Sequence, residues 1–263
     1  VEKSRAAVAL YLACLQCGAI FVPLNTAYTD AEVAYFLDDA QPALFVQDPA
    51  RTALWKASAA LGNDEHSPFW AEAQSAETDP AITPRASADV AAICYTSGTT
   101  GRSKGAMISH HNLLAMIDAL HQAWEWSAED SLYLALPLFH MHGLVVGLHC
   151  ALAAGAAVKL APRFDATAAI EALRSGRHTL FFGVPTIYVR LVEELTRRRA
   201  EGADTRFPAV RLFASGSAPL APETWNAFRE LTGHEILERY GMTETGMLLS
   251  NSLRGRRIPG TVG

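Results

Sequence analysis

The stretch Tyr95-Thr-Ser-Gly-Thr-Thr-Gly-Arg-Ser-Lys-Gly105 decides how the chain is read. Thr96 to Gly101 holds only glycine and hydroxyl residues, and Lys104 follows shortly after. An apolar run, Val90-Ala-Ala-Ile-Cys94, precedes it and reads as a strand. Glycines let a backbone approach an anion closely. Successive backbone N–H groups form a nest for phosphate oxygens. Thr96, Ser97, Thr99 and Thr100 add hydroxyl donors, and Lys104 adds a point charge. Walker A spacing is excluded, because the second glycine, counted from Gly98, would fall where the chain has Ser103. The dinucleotide pattern Gly-x-Gly-x-x-Gly is excluded by the wider separation of Gly98 and Gly101. The stretch predicts a polyphosphate-binding loop of another kind.

Outward from this loop, helix-like and strand-like segments alternate. The spacing predicts helices over 6–17, 31–39, 110–124, 143–153, 166–175, 185–199 and 222–232. It predicts strands over 19–24, 43–46, 90–94, 106–109, 131–136, 156–160, 179–182, 210–214 and 235–237. Gly18 reads as a helix stop, Asp30 as an N-cap, and Pro185 as a first-turn proline. Residues 62–89, with Pro68, Pro80 and Pro84, read as a connecting loop. This alternation predicts an α/β fold of layered, mainly parallel sheets covered by helices. Ligands then sit beyond the carboxyl ends of strands. The segments 96–105, 139–143, 215–219 and 240–245 each follow an apolar strand, which points to a shared site.

The 263 residues are 50% hydrophobic and 19% charged, the profile of an ordinary globular protein. A formal charge of −5 argues against a general nucleic-acid binder. No apolar run suits a membrane span: 144–160 is broken by Gly147, His149 and Gly155. Cys14 and Cys17 form a C-x-x-C at helical spacing on an apolar face, which reads as buried structural cysteine in a reducing, cytoplasmic compartment. No signal peptide is visible at Val-Glu-Lys-Ser-Arg, and both ends read as cut, as in a fragment of a longer protein.

The loop resembles the phosphate-binding signature of the adenylate-forming superfamily, which includes acyl-CoA synthetases, firefly-type luciferases and peptide-synthetase adenylation domains. Two further motifs follow in that family's order, Ala214-Ser-Gly-Ser-Ala-Pro-Leu220 and Glu238-Arg-Tyr-Gly-Met-Thr-Glu-Thr-Gly246. The resemblance covers essentially the whole chain. It implies the large N-terminal domain of such an enzyme, without the small C-terminal domain. Within it, 1–61 is a first α/β layer truncated at its N-terminus, 62–89 a connection, and 90–263 the ATP- and acyl-binding region, together one large domain. By resemblance, Thr96, Ser97, Gly98, Thr99, Thr100, Gly101 and Lys104 cradle the β- and γ-phosphates of ATP. Tyr240, Gly241 and Met242, with the turn Gly216, Ser217 and Ala218, hold the nucleotide. Thr243 meets the α-phosphate and Glu244 ligates magnesium. The family's ribose-binding aspartate, hinge and adenylation lysine are expected beyond this chain, in the missing C-terminal part, so the fragment is expected to turn over poorly.

Phe139-His-Met-His-Gly143 does not read as a metal site, since no further ligands converge by spacing; the resemblance implies that this segment lines the acyl pocket. The resemblance links His140 and His142 to carboxylate handling and coenzyme A access, and puts Ser215 near the substrate. Gly183-Val-Pro-Thr-Ile-Tyr-Val-Arg190-Leu resembles the malonyl-CoA synthetase branch, as do Pro23-Leu-Asn-Thr-Ala-Tyr28 and the segments around His140 and Tyr240. In that branch Arg190 would pair with the distal carboxylate of a small dicarboxylic acid, malonate or methylmalonate. A planar guanidinium suits that bidentate pairing. Two other readings stand beside it. One is a CoA ligase or adenylating enzyme for another small acid; the other is a non-catalytic nucleotide- or partner-binding module. Arg197-Arg198-Arg199 reads as a solvated cationic helix end, and Arg254, Arg256 and Arg257 as loop charges.

Overall fold

The computed structural model describes residues 2–47, 68–96 and 102–263. The chain divides into two compact units, Val1–His110 and His111–Gly263.

In the first unit, α1 (Arg5–Gln16) begins where the Ser4 side chain accepts from the Ala7 N–H at 3.1 Å. It ends ahead of Gly18, whose φ of +70° is the left-handed stop that the sequence predicted. Helix α2 (Asp30–Ala40) is capped by Thr29 rather than by Asp30. Thr29 and Glu32 form a reciprocal capping box, which satisfies two N-terminal donors at once, so the cap shifts by one residue. Helix α3 (Pro68–Ser75) lies inside the segment read as a connecting loop. Pro68 stands at its first position, where a missing N–H costs nothing. The strands expected over 19–24 and 43–46 do not form. Phe21 makes one isolated bridge to Ala92, and Pro23 removes a donor from the ladder.

Strands β1 (Val90–Thr96) and β2 (Lys104–Ser109) pair antiparallel, with Tyr95 opposite Gly105 and Thr96 opposite Lys104. The hydroxyl-rich stretch is thus the connection of a hairpin rather than a turn from a parallel strand into a helix. Ser97, Gly98, Thr99, Thr100 and Gly101 lie outside the described residues. The hairpin falls within the first unit, Val1–His110. Its ties there include the Phe21 bridge, the Tyr95 hydroxyl, which donates to Asp39 at 2.6 Å, and the Tyr35 hydroxyl, which donates to the Ser103 carbonyl at 2.9 Å. The C-x-x-C pair is not a buried one: Cys17 is exposed and Cys14 half-buried, and all four cysteines are free thiols.

The second unit carries a six-stranded sheet in the order β4-β3-β5-β6-β7-β8. Its strands are β3 (Ser131–Leu134), β4 (Ala157–Leu160), β5 (Leu180–Gly183), β6 (Leu212–Ser215), β7 (Ile236–Met242) and β8 (Gly246–Ser250). The first five run parallel, as expected, and β8 folds back antiparallel on β7. That last hairpin was not foreseen, because Tyr240 to Thr245 was read as a loop. Helices α4 (His110–Trp124), α5 (Cys150–Ala153), α6 (Ala166–Arg174), α7 (Pro185–Ala200) and α8 (Pro222–Thr232) alternate with the strands. Strands β5 and β6 are buried at every residue, the pattern of a sheet covered on both faces. Trp124, Tyr188, Phe181, Phe182, Phe213, Trp225 and Phe228 fill the core, several in edge-to-face pairs.

One helix departs from regular geometry. The helix expected over 143–153 is a π-helix at His142–His149, followed by α5. Gly143 and Gly147 permit it. A Cβ on Gly143 would lie 2.0 Å from the Pro137 carbonyl oxygen, and one on Gly147 would lie 2.9 Å from a Leu134 methyl. Widened turns of this kind recur at functional sites.

Candidate active site

Three segments that leave the second unit's sheet line one cavity of about 170 Å³. After β3, the turn through Pro137 delivers His140 and His142. After β6, the Ser215-Gly216-Ser217 turn delivers Ser217. Strand β7 and its hairpin turn deliver Arg239, Gly241, Met242 and Thr243. Met116, Val146 and Met247 complete an apolar wall. This convergence at the carboxyl ends of parallel strands is where such a sheet places ligands.

Charge in this cavity is unbalanced. Arg239 is 5% exposed, and its Nε and Nη2 have no hydrogen-bond partner among the described residues. Burial lowers its pKa to about 10, against a smaller upward pull from Tyr188. Successive residues on a strand face opposite ways. Glu238 accordingly serves the fold, accepting from the Gly260 N–H at 2.8 Å, while Arg239 turns to the cavity. Gly216 makes room for the guanidinium, since a Cβ there would stand 2.5 Å from Arg239 Cζ and Nε. An unpaired buried guanidinium costs several kcal/mol, on the order of 3–5. Such a group is stable where an anion arrives to pair with it.

His142 is also buried, 6% exposed, with Nδ1 3.2 Å from Ser217 Oγ and Nε2 without a partner among the described residues. Burial holds its pKa well below the ordinary histidine value, helped by Arg239 and His140. His140 stands nearer the solvent, and partial burial lowers its pKa as well. Ser215 Oγ is buried and unpartnered among the described residues, but it is not a lining group.

Several expected site residues fall elsewhere. Arg190 is exposed, with its guanidinium 4.9 Å from the Phe164 ring centre, and does not line the cavity. The reason is helical phase: α7 buries Ile187, Tyr188, Leu191 and Leu195, and Arg190 lies on its flank. Tyr240 is 44% exposed, and Glu244 is exposed at the hairpin turn. Lys104 and Thr96 stand at the mouth of the first-unit hairpin. The residue that the sequence reading left without a role is Arg239, although it sits inside the quoted motif. The strand read over 235–237 stopped short of it, whereas β7 runs on to Met242 and Arg239 is the last of its four buried residues. The basic run at the end of α7 is less solvated than expected. Arg197 and Arg198 pair with Glu194, and Arg198 also with Glu171. Arg257 is half-buried and donates to backbone carbonyls, including Leu253 at 2.8 Å.

A mainly parallel sheet with a cavity lined by a buried arginine beyond its strand ends places the chain in the α/β class. The chain belongs to the AMP-binding enzyme family, whose pattern matches residues 1–263. Among its relatives, the mitochondrial malonate–CoA ligase of Xenopus laevis is 37% identical over 267 residues, covering 94% of this chain and 45% of the relative. The crystal structure of ATP-bound MatB from Rhodopseudomonas palustris superposes with a TM-score of 0.91 at 41% identity, over 100% of this chain and 52% of that one. A malonyl-CoA ligase in a product complex with methylmalonyl-CoA and AMP matches with a TM-score of 0.81 at 36% identity, over 96% of this chain and 53% of that one. The chain thus spans about half the length of the relatives it matches.

Proposed function

We propose that this chain is the substrate-binding part of an AMP-forming malonate–CoA ligase, with methylmalonate as a near substrate. The observation that carries the reading is Arg239, a buried guanidinium without a carboxylate partner among the described residues, facing a small cavity. A monocarboxylate has one anionic end, and the adenylation reaction consumes it. A dicarboxylate keeps a second anion, which Arg239 pairs and holds. Burial strengthens that pairing, because water competes poorly there. Met116, Val146 and Met247 leave an apolar wall suited to the short carbon spacer.

In the reaction of the whole enzyme, a carboxylate oxygen attacks the α-phosphorus of ATP and pyrophosphate departs. The thiol of coenzyme A then attacks the acyl carbon and AMP departs. The catalytic work is positioning and charge stabilisation. Thr96, Lys104 and the loop between them hold the β- and γ-phosphates. Tyr240, Gly241, Met242 and the Gly216-Ser217-Ala218 turn hold the nucleotide, and Thr243, a cavity residue, meets the reacting carboxylate and phosphate. Magnesium fits the donor set. Among the described residues no group of three or more His, Cys, Asp or Glu side chains could cage a metal. One exposed carboxylate, Glu244, with phosphate oxygens and water is what magnesium accepts. Bound there, it neutralises phosphate charge. Among the described residues no helix is long and apolar enough to cross a membrane. Four free thiols suit a reducing compartment, expected to be the cytoplasm, although the Xenopus relative is named mitochondrial.

Calorimetry of the chain with malonate, acetate and benzoate tests the substrate reading. Malonate is expected to bind at least tenfold more tightly than either monoacid. Equal affinities refute a distal-carboxylate site. Arg190→Ala in the same titration is expected to leave malonate binding within about twofold, since Arg190 stands outside the cavity.

A further inference from the structure

Ser217 has an unusual backbone. Among the described residues, three non-glycine residues have positive φ: Gln41, Glu125 and Ser217. Gln41 is the C-cap of α2, and Glu125 follows directly on α4, so both end helices, where the left-handed conformation is common. Ser217 ends no helix. It follows β6 with φ of +71°, a conformation that serine adopts at a cost. Glycine would take it freely. What serine supplies in exchange is its hydroxyl, which meets Nδ1 of His142 at 3.2 Å. On the other side of the same ring, Nε2 is buried and unpartnered among the described residues, in the cavity that Arg239 also lines.

A neutral imidazole carries one ring proton, and the partner of one nitrogen sets where it goes. Burial and the positive charge of Arg239 keep this ring neutral. Were the proton on Nδ1, the Nε2 lone pair would face an incoming carboxylate and repel it. We propose that Ser217 is a positioning residue for His142: its hydroxyl donates to Nδ1, so the ring proton sits on Nε2 and meets the substrate carboxylate beside Arg239. The cavity then offers two kinds of donor, a charged fork and a neutral N–H at a fixed angle. The bearing on substrate rests on the malonate reading above; the hold on the ring does not.

The test uses the 263-residue chain, labelled with 15N-histidine, as wild type, Ser217→Ala and Ser217→Gly. In the wild type, nitrogen shifts are expected to show Nδ1 of His142 unprotonated and Nε2 protonated. In both variants that pattern gives way to a mixture of tautomers. Malonate affinity by calorimetry falls about tenfold in both. Ser217→Gly melts at or above the wild-type temperature, because it relieves the backbone, so its loss of affinity is not a loss of fold. An Nδ1-protonated wild type, or a tautomer indifferent to both substitutions, overturns the positioning role. A tautomer that moves without any change in malonate affinity overturns its use for substrate. If the wild type takes up no malonate while the tautomer still follows Ser217, the substrate reading falls and the ring positioning stands.

Discussion

Replacing Arg239 with methionine separates function from stability by sign. The guanidinium is 5% exposed, and Nε and Nη2 are unsatisfied among the described residues. With malonate bound, a bidentate pair adds two charge-assisted hydrogen bonds, together worth about 3 kcal/mol or more. Their loss weakens binding roughly 150-fold. In the empty protein the same substitution removes an uncompensated buried charge and fills most of its volume with a flexible apolar chain. Replacing buried ionic groups by apolar ones is commonly neutral or stabilising, by about 1–4 kcal/mol. The variant is therefore expected to unfold in urea at or above the wild-type midpoint while its malonate Kd rises at least a hundredfold by calorimetry. Malonate binding within threefold of wild type would refute the carboxylate role. A loss of several kcal/mol in stability would show that Arg239 is instead a structural residue whose partners are satisfied.

Gly216→Ala crowds Arg239 from the opposite side, with a Cβ 2.5 Å from Cζ, and is expected to raise the malonate Kd about tenfold with little change in urea midpoint. Gly143→Ala drives a Cβ to 2.0 Å from the Pro137 carbonyl oxygen, and is expected to cost about 3 kcal/mol by urea unfolding. Asp130 is a buried carboxylate that accepts from Arg211 at 2.6 and 2.7 Å and from Thr179 at 2.7 Å. Desolvation pushes its pKa up, but these bonds outweigh it and leave the folded value below 3.8. The unfolded carboxyl then binds protons more readily, so the stabilisation is full above about pH 4 and drains as pH falls through the lower folded value. Asp130→Asn is expected to cost about 3 kcal/mol at pH 7. It should also flatten the acid limb of a stability–pH curve; an unchanged limb would assign acid unfolding to other groups.

Much of the second unit was legible because its signals are local. Helices over 110–124 and 222–232 match α4 and α8, since apolar spacing, a first-turn proline and Gly233 at φ +79° fix their limits within a few residues. The parallel sheet followed from the alternation itself. The first unit read less well. The expected strands at 19–24 and 43–46 had the right composition, yet a strand exists only where a neighbour supplies a ladder, and among the described residues none does beyond Phe21 and Ala92. The π-helix was hidden for a related reason. Gly143 and Gly147 look like weak points in an ordinary helix until the Pro137 carbonyl and Leu134 are seen against them.

By itself, the sequence determined the α/β class and the family, and it singled out Tyr95 to Gly105 as the candidate phosphate loop. Each is carried by residue types at fixed spacing along the chain. Tertiary structure decided which arginine lines the cavity. Arg190 and Arg239 are equally charged in sequence, and the motif reading favoured Arg190. The phase of α7 turns Arg190 to the surface, while the alternation of β7 turns Arg239 into the cavity, over a glycine and beside an imidazole held by Ser217. Burial, not residue type, makes a charge seek a partner, and burial is set by what packs around it.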